Sequence, residues 1–151
     1  HLVSTPAGQA LGPVPGPVVI DASVWIAFFL PVDIAHQDSY TWVDKHTASG
    51  GSLISPLILL TEVAAAISRR LGKPEVARKA VDAISNLNLM RIVPLDPDLM
   101  EEATNLAASY GLRAADAIYV ATAKQLGIPL LTWDNEQLTR PAGTISAVRP
   151  S

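Results

Sequence analysis

The chain reads as an α/β domain of three layers, with helices on both faces of a central parallel sheet of about five strands. Short aliphatic runs alternate with helical segments along its whole length, the order that parallel strands joined by crossover helices require. Apolar content is high, at 49% of 151 residues with a mean hydropathy of +0.29. That suits a sheet buried on both faces, or an apolar surface kept for a partner. No apolar run reaches the roughly 18 residues of a membrane span. The longest, Val24 to Leu30, stops at Pro31.

The elements follow in order. Residues 1–17 are rich in Gly and Pro, begin with His1 and have no charged start. They read as a disordered leader or tag remnant, outside the fold. The domain is then residues 18–151. Val18 to Ile20 is a β-branched run closing on Asp21, a buried first strand. Ser23 to Leu30 is a short helix ended by Pro31, and Ala35 to Thr47 a longer one with Trp42 facing inward. Gly50 and Gly51 break it. Ser52 to Ser55 is a second strand, and Pro56 opens a helix to about Leu71. Gly72 and Pro74 mark a stop and a restart, so Glu75 to Asn86 is another helix. Leu89 to Val93 is a strand. Asp96 and Pro97 form an N-cap and first-turn pair for a helix ending near Tyr110. Arg113 to Leu126 is a strongly apolar helix capped by Gly127. Pro129 to Thr132 is a strand, Asn135 to Thr139 a short helix, and Thr144 to Val148 a weak last strand.

Four acids stand on these otherwise apolar segments: Asp21 in VVID, Glu62 in LLTEVAAAI, Asp116 in AADAIYVATA and Asp134 in PLLTWDNE. An unpaired buried carboxylate costs several kcal/mol, a large share of a domain's net stability. Asp21 and Asp134 each follow a strand, so both are expected at the sheet rim where α/β ligands gather. Each also reads as a helix N-cap. Glu62 has Ile58, Leu59, Ala65 and Ala66 at helical spacing, which sets it on an apolar stripe; a rim glutamate with a snorkelling head is the plainer alternative. Asp116 lies in the first turn of its helix, where the dipole favours a negative charge in any case.

Gathered together, these carboxylates would repel and raise one another's pKa. A hard divalent cation reverses that balance. The chain has no cysteine and no paired histidines, which points to oxygen-ligated Mg2+ or Mn2+ and away from zinc. One or two such ions can activate water and stabilise the leaving oxygen of a phosphodiester. The net charge of −3 argues against a generally basic nucleic-acid binder, though local patches decide that matter. Arg69, Arg70, Lys73, Arg78 and Lys79 cluster at the Gly72–Pro74 break, either as a solvated face or as contacts to RNA phosphates. Arg113 either pairs with Asp116 or holds phosphate. His36 and His46 lie far apart in sequence and read as surface residues. Trp25, Phe28 and Phe29 read as core.

The stretches VVIDASVWIAFF, LTEVAAAI and LRAADAIYVATAKQLGIPLLTWDNEQL, in this order, resemble the PIN domain, and more narrowly the VapC-type toxins of toxin–antitoxin pairs. The resemblance covers about Val18 to Val148. It implies a Mg2+- or Mn2+-dependent ribonuclease with a five-stranded parallel sheet. It makes Asp21, Glu62, Asp116 and Asp134 the catalytic acids. Asp21 and Asp116 are then the most direct metal ligands, with Asp134 and Glu62 completing the site and Ser23 and Thr132 in support. Arg69, Arg70, Lys73 and Arg113 are candidates for RNA contact. A cognate antitoxin, a homodimer and a cytoplasmic, membrane-free location are implied as well. The alternatives are a PIN-like binding module without catalysis, and a phosphotransfer domain. A haloacid-type phosphatase would need D-x-D where Asp21-Ala22-Ser23 stands. A receiver domain would need a lysine where Trp133 and Asp134 stand.

Overall fold

The computed structural model describes residues 16–151 and, as backbone, the pair Ala10–Leu11. The strands are β1 (Ala10–Leu11), β2 (Val18–Ile20), β3 (Leu53–Pro56), β4 (Met90–Val93), β5 (Leu130–Leu131) and β6 (Ala147–Pro150). The helices are α1 (Ala22–Phe29), α2 (His36–Ala48), α3 (Ile58–Leu71), α4 (Pro74–Ser85), α5 (Pro97–Tyr110), α6 (Ala114–Leu126) and α7 (Asn135–Thr139). The sheet order is β1-β6-β5-β2-β3-β4 and every pairing is parallel. Its central five strands and the flanking helices make the three-layer α/β/α arrangement.

The strand order places a switch point between β2 and β5. From β2 the chain crosses one way to β3 and β4, and later returns on the other side as β5 and β6. Crossovers leaving in opposite directions open a crevice at the carboxyl ends of those two strands. The register aligns them closely: Ile20 pairs with Leu131, and Asp21 N donates to Leu131 O at 3.0 Å. Asp21 and Thr132 therefore leave the sheet side by side.

The strands β2, β3 and β5 are buried at every residue, as a sheet covered on both faces requires. Helix α6 lies against β2, β3 and β5 on one side and α5 on the other. All seven residues from Ala117 to Ala123 are buried, so the middle of this helix is enclosed on every side. It ends at Gly127, whose φ of 65° is the left-handed cap that glycine adopts without strain. At its start α5 has the expected pair, with Asp96 accepting from Leu99 N at 2.8 Å and Pro97 in the first turn.

Four expectations need correction. Pro56 does not open a helix; it is the last residue of β3, in register with Val93. A proline is tolerated at a strand end, and the next amide, Leu57 N, makes the bond to Val93 O at 2.8 Å. The last strand begins at Ala147; Thr144 lies in a turn, its N bonded to Pro141 O at 2.9 Å and its hydroxyl 2.7 Å from that of Tyr110. His46 is no surface residue. It is fully buried, stacked on Trp42 with ring centroids 4.6 Å apart, and its Nε2 lies 3.2 Å from Ser52 O. Its ring packs so closely on Gly51 that a Cβ there would meet Nε2 at 2.3 Å. Finally, most of the expected leader lies outside the described residues, but Ala10–Leu11 extends the sheet by pairing with Arg149 and Pro150.

Candidate metal centre

Asp21 is 4% exposed, at the carboxyl end of β2. It caps α1, accepting from Ser23 N at 3.1 Å through Oδ2, so the cap reading is correct as far as it goes. The same Oδ2 accepts from Thr132 Oγ1 at 3.0 Å across the switch point. Oδ1 accepts from Gln137 Nε2 at 3.2 Å. A plain cap would need only the first of these bonds.

Asp116 sits in the first turn of α6, mostly buried. Its Oδ1 accepts from the same Gln137 Nε2 at 3.1 Å. The amide of Gln137 thus joins Asp21 to Asp116. Arg113 Nε stands 3.4 Å from Asp116 Oδ2, an ion-pair distance, while that buried oxygen has no hydrogen bond. Arg113 is 76% exposed, so solvent screens the pair.

Glu62 lies beside the buried stripe of α3 formed by Leu59, Val63 and Ile67, and is half-buried. Its Oε1 accepts from Tyr119 Oη at 2.7 Å. Tyr119 is wholly buried on α6, one turn beyond Asp116. Asp134 caps α7, accepting from Gln137 N at 3.1 Å through Oδ2, while its own N donates to Thr132 Oγ1 at 2.9 Å. Ser23 Oγ lies 3.4 Å from Thr132 Oγ1 and accepts from Trp133 N at 3.0 Å. Both supporting hydroxyls are thereby at the rim.

The electrostatics tie the acids into one group. Burial pushes the Asp21 carboxyl above the usual range, only partly offset by its bonds from Ser23, Thr132 and Gln137. Asp116 is pushed up to about 6, first by burial, then by the charges of Asp134 and Asp21, against the opposing pull of Arg113. Glu62 is also raised by burial, with Tyr119 working the other way and the charges of Asp21 and Asp116 adding to the rise. Burial and the charges of Asp21 and Glu62 hold the Tyr119 phenol well above its usual value, so it stays a donor.

Among the described residues, no three His, Asp or Glu side chains stand together as a ready cation cage. The Gln137 amide stands between Asp21 and Asp116, bonded to both. The chemistry of the set nonetheless fits a hard cation: carboxylate, amide and hydroxyl oxygens, two buried oxygens without hydrogen bonds (Asp116 Oδ2 and Gln137 Oε1), and mutual repulsion that positive charge would relieve.

The basic candidates divide. Arg70 pairs with Asp33 at 3.1 Å, and both line a groove of about 410 Å³ with Ser23 and Trp133, directly beside the acids. Arg113 reaches Asp116. Arg69 and Lys73 are exposed at the α3–α4 turn, with Arg78 and Lys79. Three residues at the rim escape sequence reasoning: Gln137, Tyr119 and Glu136, whose charge also raises Asp116. Gln137 had a partial signal, since D-x-x-Q at a helix start suggests a capping box. Its side chain instead crosses to two distant acids, which local sequence cannot reveal.

A family model for the PIN domain matches residues 18–143. No curated protein sequence matches. Among solved structures, the chain is similar to VapC20 of Mycobacterium tuberculosis, a sarcin–ricin loop cleaving toxin. Identity is 21% and the TM-score 0.70, over 85% of this chain and 98% of that one. It is also similar to VapBC2 of Rickettsia felis bound to a DNA fragment from their promoter, with 12% identity, TM-score 0.68, and 88% and 98% covered. A toxin–antitoxin complex of Klebsiella pneumoniae aligns at 20% identity and TM-score 0.61, over 89% and 98%. At these identities the likeness is one of fold.

Proposed function

Because the chain belongs to the PIN-domain family, we propose that it is a VapC-type toxin, a Mg2+- or Mn2+-dependent endoribonuclease that hydrolyses RNA phosphodiesters. The observation behind this reading is the joining of Asp21 and Asp116 through one amide at the switch point, with Glu62 and Asp134 sharing their field.

Asp21 and Asp116 would hold the cation, with Asp134 and Glu62 completing the site. A bound divalent ion supplies an activated water and neutralises charge on the phosphodiester. The protein's own residues do the positioning. Thr132 and the Ser23 amide both donate to Oδ2 of Asp21 and fix that oxygen. Tyr119 fixes one oxygen of Glu62. Burial raises the Glu62 carboxyl above the ordinary range, with the charges of Asp21 and Asp116 adding to it, a repulsion that a bound cation would relieve. Arg70 and Arg113 flank the acids and suit phosphate contacts, with Arg69 and Lys73 further out.

A cognate antitoxin and a homodimer are the partners this reading brings. Val32 and Ile34 are 84% and 103% exposed, apolar groups in keeping with a protein partner. No described helix is long and apolar enough to cross a membrane, and a cytoplasmic setting goes with an RNA substrate. The direct test is cleavage of total RNA and defined stem-loops in Mg2+ or Mn2+, with and without EDTA. Metal-dependent internal cuts are expected. Cleavage unchanged by EDTA would remove the metal from the reaction. An adjacent reading frame encoding a small DNA-binding protein is expected for the toxin role.

A further inference from the structure

Gln137 is wholly buried, yet its hydrogen bonds account for only half of its amide. Nε2 donates to Asp21 Oδ1 at 3.2 Å and to Asp116 Oδ1 at 3.1 Å. Oε1, on the same carbon, is buried with no hydrogen-bond partner. An orphaned buried carbonyl is costly, and native interiors rarely keep one without a reason. The main chain here is not loose. Gln137 N is bonded to the Asp134 cap at 3.1 Å and Leu138 is buried beside it. The amide is thus fixed at its root and free to turn only about its own side-chain torsions.

The spacing is informative. Oxygens bound to Mg2+ at 2.0–2.1 Å in an octahedron lie about 3.0 Å from their nearest neighbours. Nε2 stands at nearly that distance from both carboxylate oxygens. It occupies the place of a third ligand atom while serving as a partial positive charge between two acids. A half-turn about Cγ–Cδ exchanges the two amide atoms and puts Oε1 where Nε2 now stands.

We propose that Gln137 is a two-position residue of the metal centre: Nε2 bridges Asp21 and Asp116 when no cation is bound, and Oε1 ligates the cation when one is. This rests on the metal-centre reading above. An amide in that place adds an oxygen ligand without adding negative charge. It also keeps the two acids paired before metal arrives, so that binding does not have to assemble them. Its orphaned Oε1 then has a use, which a purely structural bridge would not give it.

The test is calorimetric titration of the full chain with MnCl2, for the parent, Gln137→Leu and Gln137→Glu, with melting in EDTA as the folding control. Gln137→Leu keeps the bulk and removes both amide atoms; it is expected to bind Mn2+ at least about tenfold more weakly. Gln137→Glu keeps an oxygen in place; it is expected to bind at least as tightly as the parent, while melting lower in EDTA because a further carboxylate joins the cluster. Equal or tighter binding by Gln137→Leu would overturn the proposal and make Gln137 a mere spacer. Should Gln137→Leu fail to fold, the side-chain NH2 signals of Gln137 in the parent's 1H–15N spectrum decide. They are expected to move during Mg2+ titration, in step with binding, and no movement would overturn the proposal. A parent that binds neither ion overturns the metal centre itself, an outcome distinct from a parent that binds with Gln137 unmoved.

Discussion

The two ends of the sheet treat buried polar groups in opposite ways. At the amino end, His46 is enclosed between Trp42, Gly51 and the Ser52 carbonyl, with neutral partners on all of these sides. At the carboxyl end, Asp21 and Asp116 share one amide, the charges of Asp134 and Asp21 add to the rise of Asp116, and those of Asp21 and Asp116 add to the rise of Glu62. The first arrangement stabilises the fold. The second costs stability, and the fold retains it where parallel-sheet proteins bind their ligands. The difference teaches that burial alone does not mark a site; unrelieved like charge does.

That contrast can be broken most forcefully at Asp116. Asp116→Asn is expected to lower RNA cleavage by at least about a hundredfold, while the metal-free protein melts at the same temperature or higher. A variant that still cleaves would take Asp116 out of the chemistry. The opposite pattern is expected at the other end. In Gly51→Ala the new methyl would meet the His46 ring. It should cost about 1–3 kcal/mol by overpacking, read as a lower midpoint in urea. Cleavage per folded molecule should hold, and a selective loss of cleavage would blur the division between the two ends.

Metal and pH sharpen the comparison further. Mg2+ or Mn2+ at ten times its Kd should add about 1.4 kcal/mol, or roughly 3–6 °C of Tm, by binding the folded state. No shift at millimolar metal would count heavily against the site. In EDTA, Asp116 gives a pH signature. Its carboxyl titrates near about 6 when folded, against 3.8 ordinarily. Between those values the folded chain holds a proton that the unfolded chain releases. The stability from that proton is therefore present below about 4 and is lost as pH rises through about 6. Melting from pH 4 to 7.5 should show this loss, and Asp116→Asn should show a smaller one, the raised Asp21 and Glu62 carboxyls supplying the remainder. A smaller effect is expected from Tyr119→Phe, which removes one donor to Glu62. Cleavage should fall about three- to tenfold, as for one hydrogen bond, with the fold intact. Unchanged cleavage would leave Glu62 without need of its holder.

Much of this was legible in the chain. The β-branched run before Asp21, the Asp96–Pro97 start of α5 and the glycine after α6 are local signals, and local physics decided them. The four acids were legible as carboxylates out of place on apolar segments, and the positions of Asp21 and Asp134 after strands foretold a shared rim for those two. Less legible were Pro56, where register with Val93 outweighed the usual helix-opening use of proline, and His46, where packing against Trp42 outweighed polarity.

By itself, then, the sequence determined the α/β class, most element boundaries and the identity of the acids. Each of these depends on side-chain periodicity, caps and turn residues within a few positions. The tertiary structure alone decided that one buried amide on α7 would stand between two carboxylates 116 and 21 residues away in sequence, and that a tyrosine on α6 would hold a glutamate on α3. Those contacts exist because parallel strands bring their carboxyl ends to one rim, and no local pattern encodes which side chains meet there.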